Sequence, residues 1–312
     1  MDINYNNTYL ILGGHVQLSK YRYIYFSMTL LLFILIICSN TVVLYVIYVH
    51  ESLHKPMYIF VAALLMNALF GSITIYPKLL VDLLSAKQTI SRPACRLQSF
   101  LIYVYAASEF TLLSAMAFDR YVSICRPLQY HSLVRTQTVK LILVLAFCLP
   151  CCKIGIAIIL STNIGLCKFV LMRITCDNYS LVKAGCGDST VSNAYGLCVM
   201  VLSILPHVIF ILFSYTRILS ICLRSSRDFR TGALNTCLPH LVIFLNFTII
   251  ALFEIIQNRI PSGIPHIVRL IVSLLYVVIP PLFNPLIYGF KMQVIRQLML
   301  LLLAPAKQQQ RE

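Results

Sequence analysis

Seven long apolar runs separated by short polar stretches dominate the hydrophobic pattern of this chain, at about residues 24–49, 57–84, 97–121, 139–160, 195–223, 234–257 and 266–290. Crossing a bilayer core takes about 20 predominantly apolar residues in helical conformation, and each run meets that length. Lipid offers the backbone no hydrogen-bond partners, so each run must close its own bonds as a helix. The pattern predicts an all-α membrane protein, one domain over residues 1–312 whose seven-transmembrane helix bundle occupies residues 23–290. The first run is long enough to span, and it reads as a helix that stays in the membrane and not as a cleaved leader.

Composition agrees with the pattern. The chain is 59% hydrophobic and only 11% charged, with a mean hydropathy of +0.85, whereas a soluble domain carries roughly a quarter charged residues. The net charge of +15 raises the question of nucleic acid. The basic residues are scattered through the stretches between apolar runs, however, which suits anchoring to lipid headgroups. With no Trp, the interfacial belts fall to the 18 Tyr and 17 Phe. Lys and Arg divide almost evenly between the two sides, so their distribution barely favours either orientation.

Polar residues inside the runs are the candidate functional groups, because lipid makes them costly unless a neighbouring helix hydrogen-bonds them. Asn40 is one and Glu109 another. Helical spacing puts Ile102, Ala106, Glu109, Leu113, Met116 and Arg120 on or near one face. Glu109 and Arg120 lie roughly 16 Å apart along the axis, so Glu109 needs another partner or a proton. Its role is either ion- or proton-linked switching or polar bracing. Asn284-Pro285 frees a backbone carbonyl and permits a kink. His207 and His240 sit singly, with no nucleophile–base or metal-ligand spacing, so the chain reads as no enzyme and predicts neither cofactor nor metal centre.

The third run ends in Met116-Ala117-Phe118-Asp119-Arg120-Tyr121-Val122-Ser123-Ile124-Cys125-Arg126-Pro127-Leu128-Gln129-Tyr130-His131. This resembles the cytoplasmic end of helix three in odorant receptors, a branch of the rhodopsin-like G-protein-coupled receptors. Pro56-Met57-Tyr58 and Tyr76-Pro77-Lys78 resemble the two ends of that family's helix two. Gly232-Ala233-Leu234-Asn235-Thr236-Cys237-Leu238-Pro239-His240-Leu241 resembles the start of its helix six, and Asn284-Pro285-Leu286-Ile287-Tyr288 its Asn-Pro-x-x-Tyr element. Residues 291–303 resemble its short amphipathic eighth helix. Three positions depart from the pattern. Ala68, beside Asn67, stands where the family usually has Asp, Gly232 replaces a Lys, and Thr248 replaces a Tyr. Phe118, Ser123 and Gln129 resemble the fish-type branch.

The resemblance carries further expectations. It implies that residues 1–22 are extracellular and 291–312 cytoplasmic, and that Asn40 braces helices two and seven. Sequence alone leaves the loop cysteines open to several pairings or to metal. The resemblance implies Cys95–Cys176 and Cys167–Cys186. Sequons at Asn6 and Asn178 imply glycosylation, whereas the one at Asn246 lies inside a span. A small-molecule odorant would bind in the outer halves of helices three, five, six and seven, where helical position gives Ile102, Tyr103, Ala106, Ser203, Phe247 and Thr248 as lining residues. Lys153, Lys168, Arg173, Arg259 and Arg269 near the outer mouth hint at an anionic ligand, with headgroup contact as the alternative. The resemblance further implies that Asp119 holds Arg120 at rest. Outward movement of helix six then releases Arg120 to a heterotrimeric G protein of the olfactory stimulatory class, with Tyr121, Tyr215, Asn284, Pro285 and Tyr288 taking part. The competing readings are a multi-span transporter, which would want inverted repeats and a charged pathway, and a chemoreceptor outside olfaction.

Overall fold

The computed structural model describes residues 9–14, 21–259, 266–291, 295 and 297. Its long helices are α1 (Arg22–Val49), α2 (Pro56–Leu84), α3 (Arg92–Cys125), α4 (Thr136–Thr162), α5 (Thr190–Arg224), α6 (Arg227–Arg259) and α7 (His266–Lys291). Among the described residues, seven helices are long and apolar enough to cross a membrane. Several outrun the apolar stretch that announces them, because backbone hydrogen bonding continues past the point where hydropathy falls. Thus α3 begins before Cys95, and the polar stretch between the fifth and sixth apolar runs shrinks to Ser225 and Ser226 between α5 and α6.

Local chemistry sets the helix starts. Pro56 opens α2, where its missing N–H is one that would be unpaired anyway. Ser91 caps α3, its Oγ accepting from the Ala94 N–H at 3.4 Å. Prolines inside α2, α4, α5, α6 and α7 would break a soluble helix, but in a bundle neighbouring helices satisfy the freed groups.

The outside of the bundle is apolar: Tyr48 is 80% exposed, Leu31 68% and Ile249 65%. Such side chains belong in lipid. The interior is organised around α3, which packs against α2, α4, α5 and α6. The main core joins Phe60, Leu64, Phe110, Met116, Phe244 and Tyr288. Gly71 lets α2 approach α3 closely, since a Cβ there would sit 2.6 Å from the Tyr105 ring.

One end of the bundle carries a small sheet that the hydrophobic pattern gave no reason to expect. β1 (Tyr9–Leu12) pairs antiparallel with β2 (Thr89–Ser91) and parallel with β3 (Val170–Leu171). Leu10 and Leu12 are fully buried with Ile90, Leu171 and the Cys95–Cys176 disulfide. Cys167–Cys186 closes the same loop on itself. Both bonds are those the resemblance implied. The eighth helix and Asn6 lie outside the described residues, apart from helical residues 295 and 297, and nothing is described of the Arg259 and Arg269 side chains.

Candidate functional site

The functional side chains fall in three layers along α3. At the end away from the disulfides, the Arg120 guanidinium donates to Asp119 Oδ2 at 2.7 Å. The other carboxylate oxygen accepts from the Tyr130 hydroxyl at 2.8 Å. Tyr130 begins a one-turn helix, Tyr130–Leu133, that follows α3. Asp119 is completely buried, so the pair is more than an exposed interface ion pair. Tyr121 packs its ring against Phe213 and lies beneath the Arg126 guanidinium.

A second contact ties α5 and α6 to α3. His240 Nε2 lies 2.9 Å from the Leu113 carbonyl. A carbonyl only accepts, so Nε2 carries the hydrogen and Nδ1 is left as an acceptor. The Tyr215 hydroxyl donates to that Nδ1. His240 therefore has partners on two other helices, which corrects the expectation that it sits singly. His207 also has one, Thr111 Oγ1 at 3.3 Å. No described hydrogen bond joins Tyr215 or Tyr288 to Arg120: Tyr288 points its hydroxyl at Met116 Sδ, 3.7 Å away.

The middle layer centres on Glu109, wholly buried. Its two oxygens accept from Asn67 Nδ2 on α2 and Asn284 Nδ2 on α7, each at 2.8 Å. Asn67 also donates to the Tyr105 carbonyl at 3.1 Å. Asn67, and not its neighbour Ala68, thus presents the α2 polar group. Among the described residues no cation forms an ion pair with Glu109, and the carbonyl oxygens of Asn67 and Asn284 have no partner. Asn40 donates to the Ile36 carbonyl at 2.8 Å and to that of Pro281 on α7 at 2.9 Å. It braces α7 as expected, but its amide makes no described hydrogen bond to α2. Pro285 lies within α7 beside Asn284.

The layer nearest the disulfides holds a cavity of about 210 Å³, large enough for a small organic molecule. Ile102, Tyr103, Ala106 and Ser203 line it, as sequence position suggested. Phe247 and Thr248 do not. The α6 face on the cavity lies one turn further along, at Ala251, Glu254 and Ile255. Phe247 instead supports the wall from behind, its ring 4.8 Å from Phe110 and 6.3 Å from Tyr276.

Arg173 also lines the cavity, but its charge is engaged. It donates to Asp177 at 3.2 Å and to Glu254 on α6 at 2.9 Å, while Ser273 on α7 donates to Glu254 at 3.1 Å. Burial works against the guanidinium charge, yet Asp177 and Glu254 outweigh it and hold its pKa above the ordinary value. Of the basic residues expected near the mouth, Arg173 is therefore already engaged by two acids. Asn178 is 7% exposed and lines the cavity from a short helix, Asn178–Lys183.

Several of these residues escaped sequence reasoning. His240 carried a signal in its motif, whereas Asn67, Tyr130 and the Arg173–Glu254 pair become visible only once the helices are placed.

Comparison with known proteins matches this arrangement. A family model described as olfactory receptor covers residues 29–305. Human olfactory receptor 52B2 is 32% identical over 290 residues, 92% of this chain and 90% of the relative. Human olfactory receptor 52H1 is 32% identical over 87% of each chain, and human olfactory receptor 52A5 33% identical over 83% of each. The chain belongs to the olfactory receptor family, multi-pass membrane proteins that sense odorants and couple to G proteins without being enzymes.

Proposed function

We propose that this chain is an odorant-activated receptor whose ligand occupies the cavity between α3, α5 and α6, and whose output is a stimulatory olfactory G protein that raises cAMP. The observation that carries this reading is the layout of α3. One stretch of it, Ile102 to Phe110, lines the cavity, and Asp119-Arg120 closes its other end, roughly 21 Å from Ala106. Between them, His240 fastens α6 to α3.

A bundle fastened at discrete points has discrete arrangements, and a ligand that binds one of them better shifts the population towards it. In this reading α6 swings outward, the His240–Leu113 contact parts, and Arg120 leaves Asp119 for the inserting G-protein segment. Tyr121, Tyr215, Asn284, Pro285 and Tyr288 accommodate the change. The disulfide end, with residues 1–22, faces outward from the plasma membrane of olfactory cilia, and the Asp119 end faces the cytoplasm among lipid headgroups. Glu109, with two unpartnered amide oxygens beside it, is the place where a proton or small cation would reset the helix packing.

The test is cAMP accumulation in cells bearing the chain and an olfactory stimulatory G protein, challenged with pools of amino acids, bile acids, amines and neutral odorants. A response to a pool that disappears in Arg120→Ala, at equal surface expression, is the expected outcome. A response unchanged in Arg120→Ala would remove α3 from the output path.

A further inference from the structure

Behind Ser203 of the cavity wall lies a cation that the proposed switch does not use. Lys153 lies on α4, roughly 14 Å along the axis from the helix end at Thr162. It is partly buried, and its Nζ donates to Ser203 Oγ on α5 at 3.1 Å. Among the described residues no carboxylate lies within ion-pairing distance of it. The acids closest to the cavity, Asp177 and Glu254, are both engaged by Arg173. A charged side chain inside a span is costly, and it is commonly balanced by a counter-charge or used functionally.

The direction of that hydrogen bond matters. Elsewhere on α5, Ser214 and Thr216 donate to the carbonyls four residues back, of Phe210 and Leu212. Ser203 has no such described bond. One of its lone pairs takes the ammonium hydrogen, and its own hydroxyl hydrogen has no acceptor among the described residues. Ser203 is 7% exposed and lines the cavity. The hydroxyl is thereby fixed as a donor, polarised by the charge behind it, beside a stretch of wall made apolar by Ala106, Val199 and Ile204.

We infer that Lys153 and Ser203 together form the polar anchor of the cavity, and that it selects small amphiphiles bearing an anionic acceptor group, a carboxylate above all. Ser203 donates to the acceptor, and the Lys153 ammonium supplies the counter-charge. An amine meets a donor and a like charge there and is rejected. The apolar wall takes the hydrocarbon part. This inference rests on the cavity being the odorant site and adds the chemistry that the site prefers.

The experiment uses the full-length receptor at the cell surface and a matched series of one chain length: acid, methyl ester, alcohol and amine. The acid should be the most potent agonist and the amine inactive. Lys153→Gln should raise the EC50 of the acid about ten- to a hundredfold, the scale of a lost charge-assisted hydrogen bond, and leave the ester within about twofold. Ser203→Ala should weaken acid and ester alike, because both accept from the hydroxyl. Lys153→Arg should retain most of the acid response. If the wild-type receptor answers the amine or alcohol better than the acid, the anchor is overturned while the receptor reading stands. The same holds if Lys153→Gln leaves the acid unaffected. Silence towards this series and the odorant pools, with the receptor at the surface, overturns both readings.

Discussion

The imidazole of His240 on α6 donates to the backbone carbonyl of Leu113 on α3 at 2.9 Å, in a setting where the side chain is wholly buried. With Tyr215 donating to the other ring nitrogen, one side chain holds three helices. Replacing it with Phe keeps a flat aromatic ring and removes both bonds. Each lost buried hydrogen bond is worth about 1–3 kcal/mol, or a roughly five- to hundredfold change in the balance between arrangements. Basal cAMP in His240→Phe should therefore exceed that of the wild type at equal surface expression; basal output at or below wild type would mean that the contact does not hold the resting state.

Glu109 serves two carboxamides at once. Glu109→Ala strands the Asn67 and Asn284 donors in a dry interior, at a cost of about 1–3 kcal/mol each. Glu109→Gln retains an acceptor oxygen and should lose less. Thermal melting of the purified receptor in detergent would rank the three proteins wild type, Gln, then Ala. A Gln variant no more stable than Ala would show that the acceptor oxygens are not what the network needs.

Gly71 tests the packing of α2 on α3. A methyl group there meets the Tyr105 ring at 2.6 Å, and overpacking of this kind costs about 1–3 kcal/mol. Gly71→Ala should reduce thermal stability and surface expression, and Tyr105→Ala in the same chain should restore part of the loss by vacating the space. Failure of the second change to help would place the cost elsewhere.

Cys95–Cys176 joins residues 81 apart in sequence, against 19 for Cys167–Cys186. In the chain-entropy account the longer closure contributes more, within a typical range of about 2–4 kcal/mol. It also underlies the fully buried Leu10 and Leu12 of the small sheet. Cys95→Ser should abolish surface expression, and Cys167→Ser should reduce it less. The reverse order, read by surface labelling, would contradict this.

The seven spans were legible because lipid imposes one rule on every spanning segment, and hydropathy records it. The Asp119-Arg120 end and the cysteine pairs were legible through motifs. Cross-helix partners were not. Asn67 lies beside the position that draws attention, Ala68, and only the rotation of α2 decides which of the two faces Glu109. The α6 wall shows the same limit: Phe247 and Thr248 fall one turn short of the cavity, an offset set by how far α6 slides along α3. The strand β1 was invisible because its partners lie about 80 and 160 residues away, and four residues carry too little pattern to announce a sheet.

The central claim is that ligand occupancy at one end of α3 frees α6 from its other end. It is tested most directly by the distance between spectroscopic labels at Arg126, which follows α3, and Asp228 at the start of α6, both exposed. The receptor would be measured in lipid nanodiscs with and without an agonist from the responsive pool. The account predicts that agonist lengthens the distance by several ångströms and that His240→Phe lengthens it without agonist. An unchanged distance under an agonist that raises cAMP would contradict it.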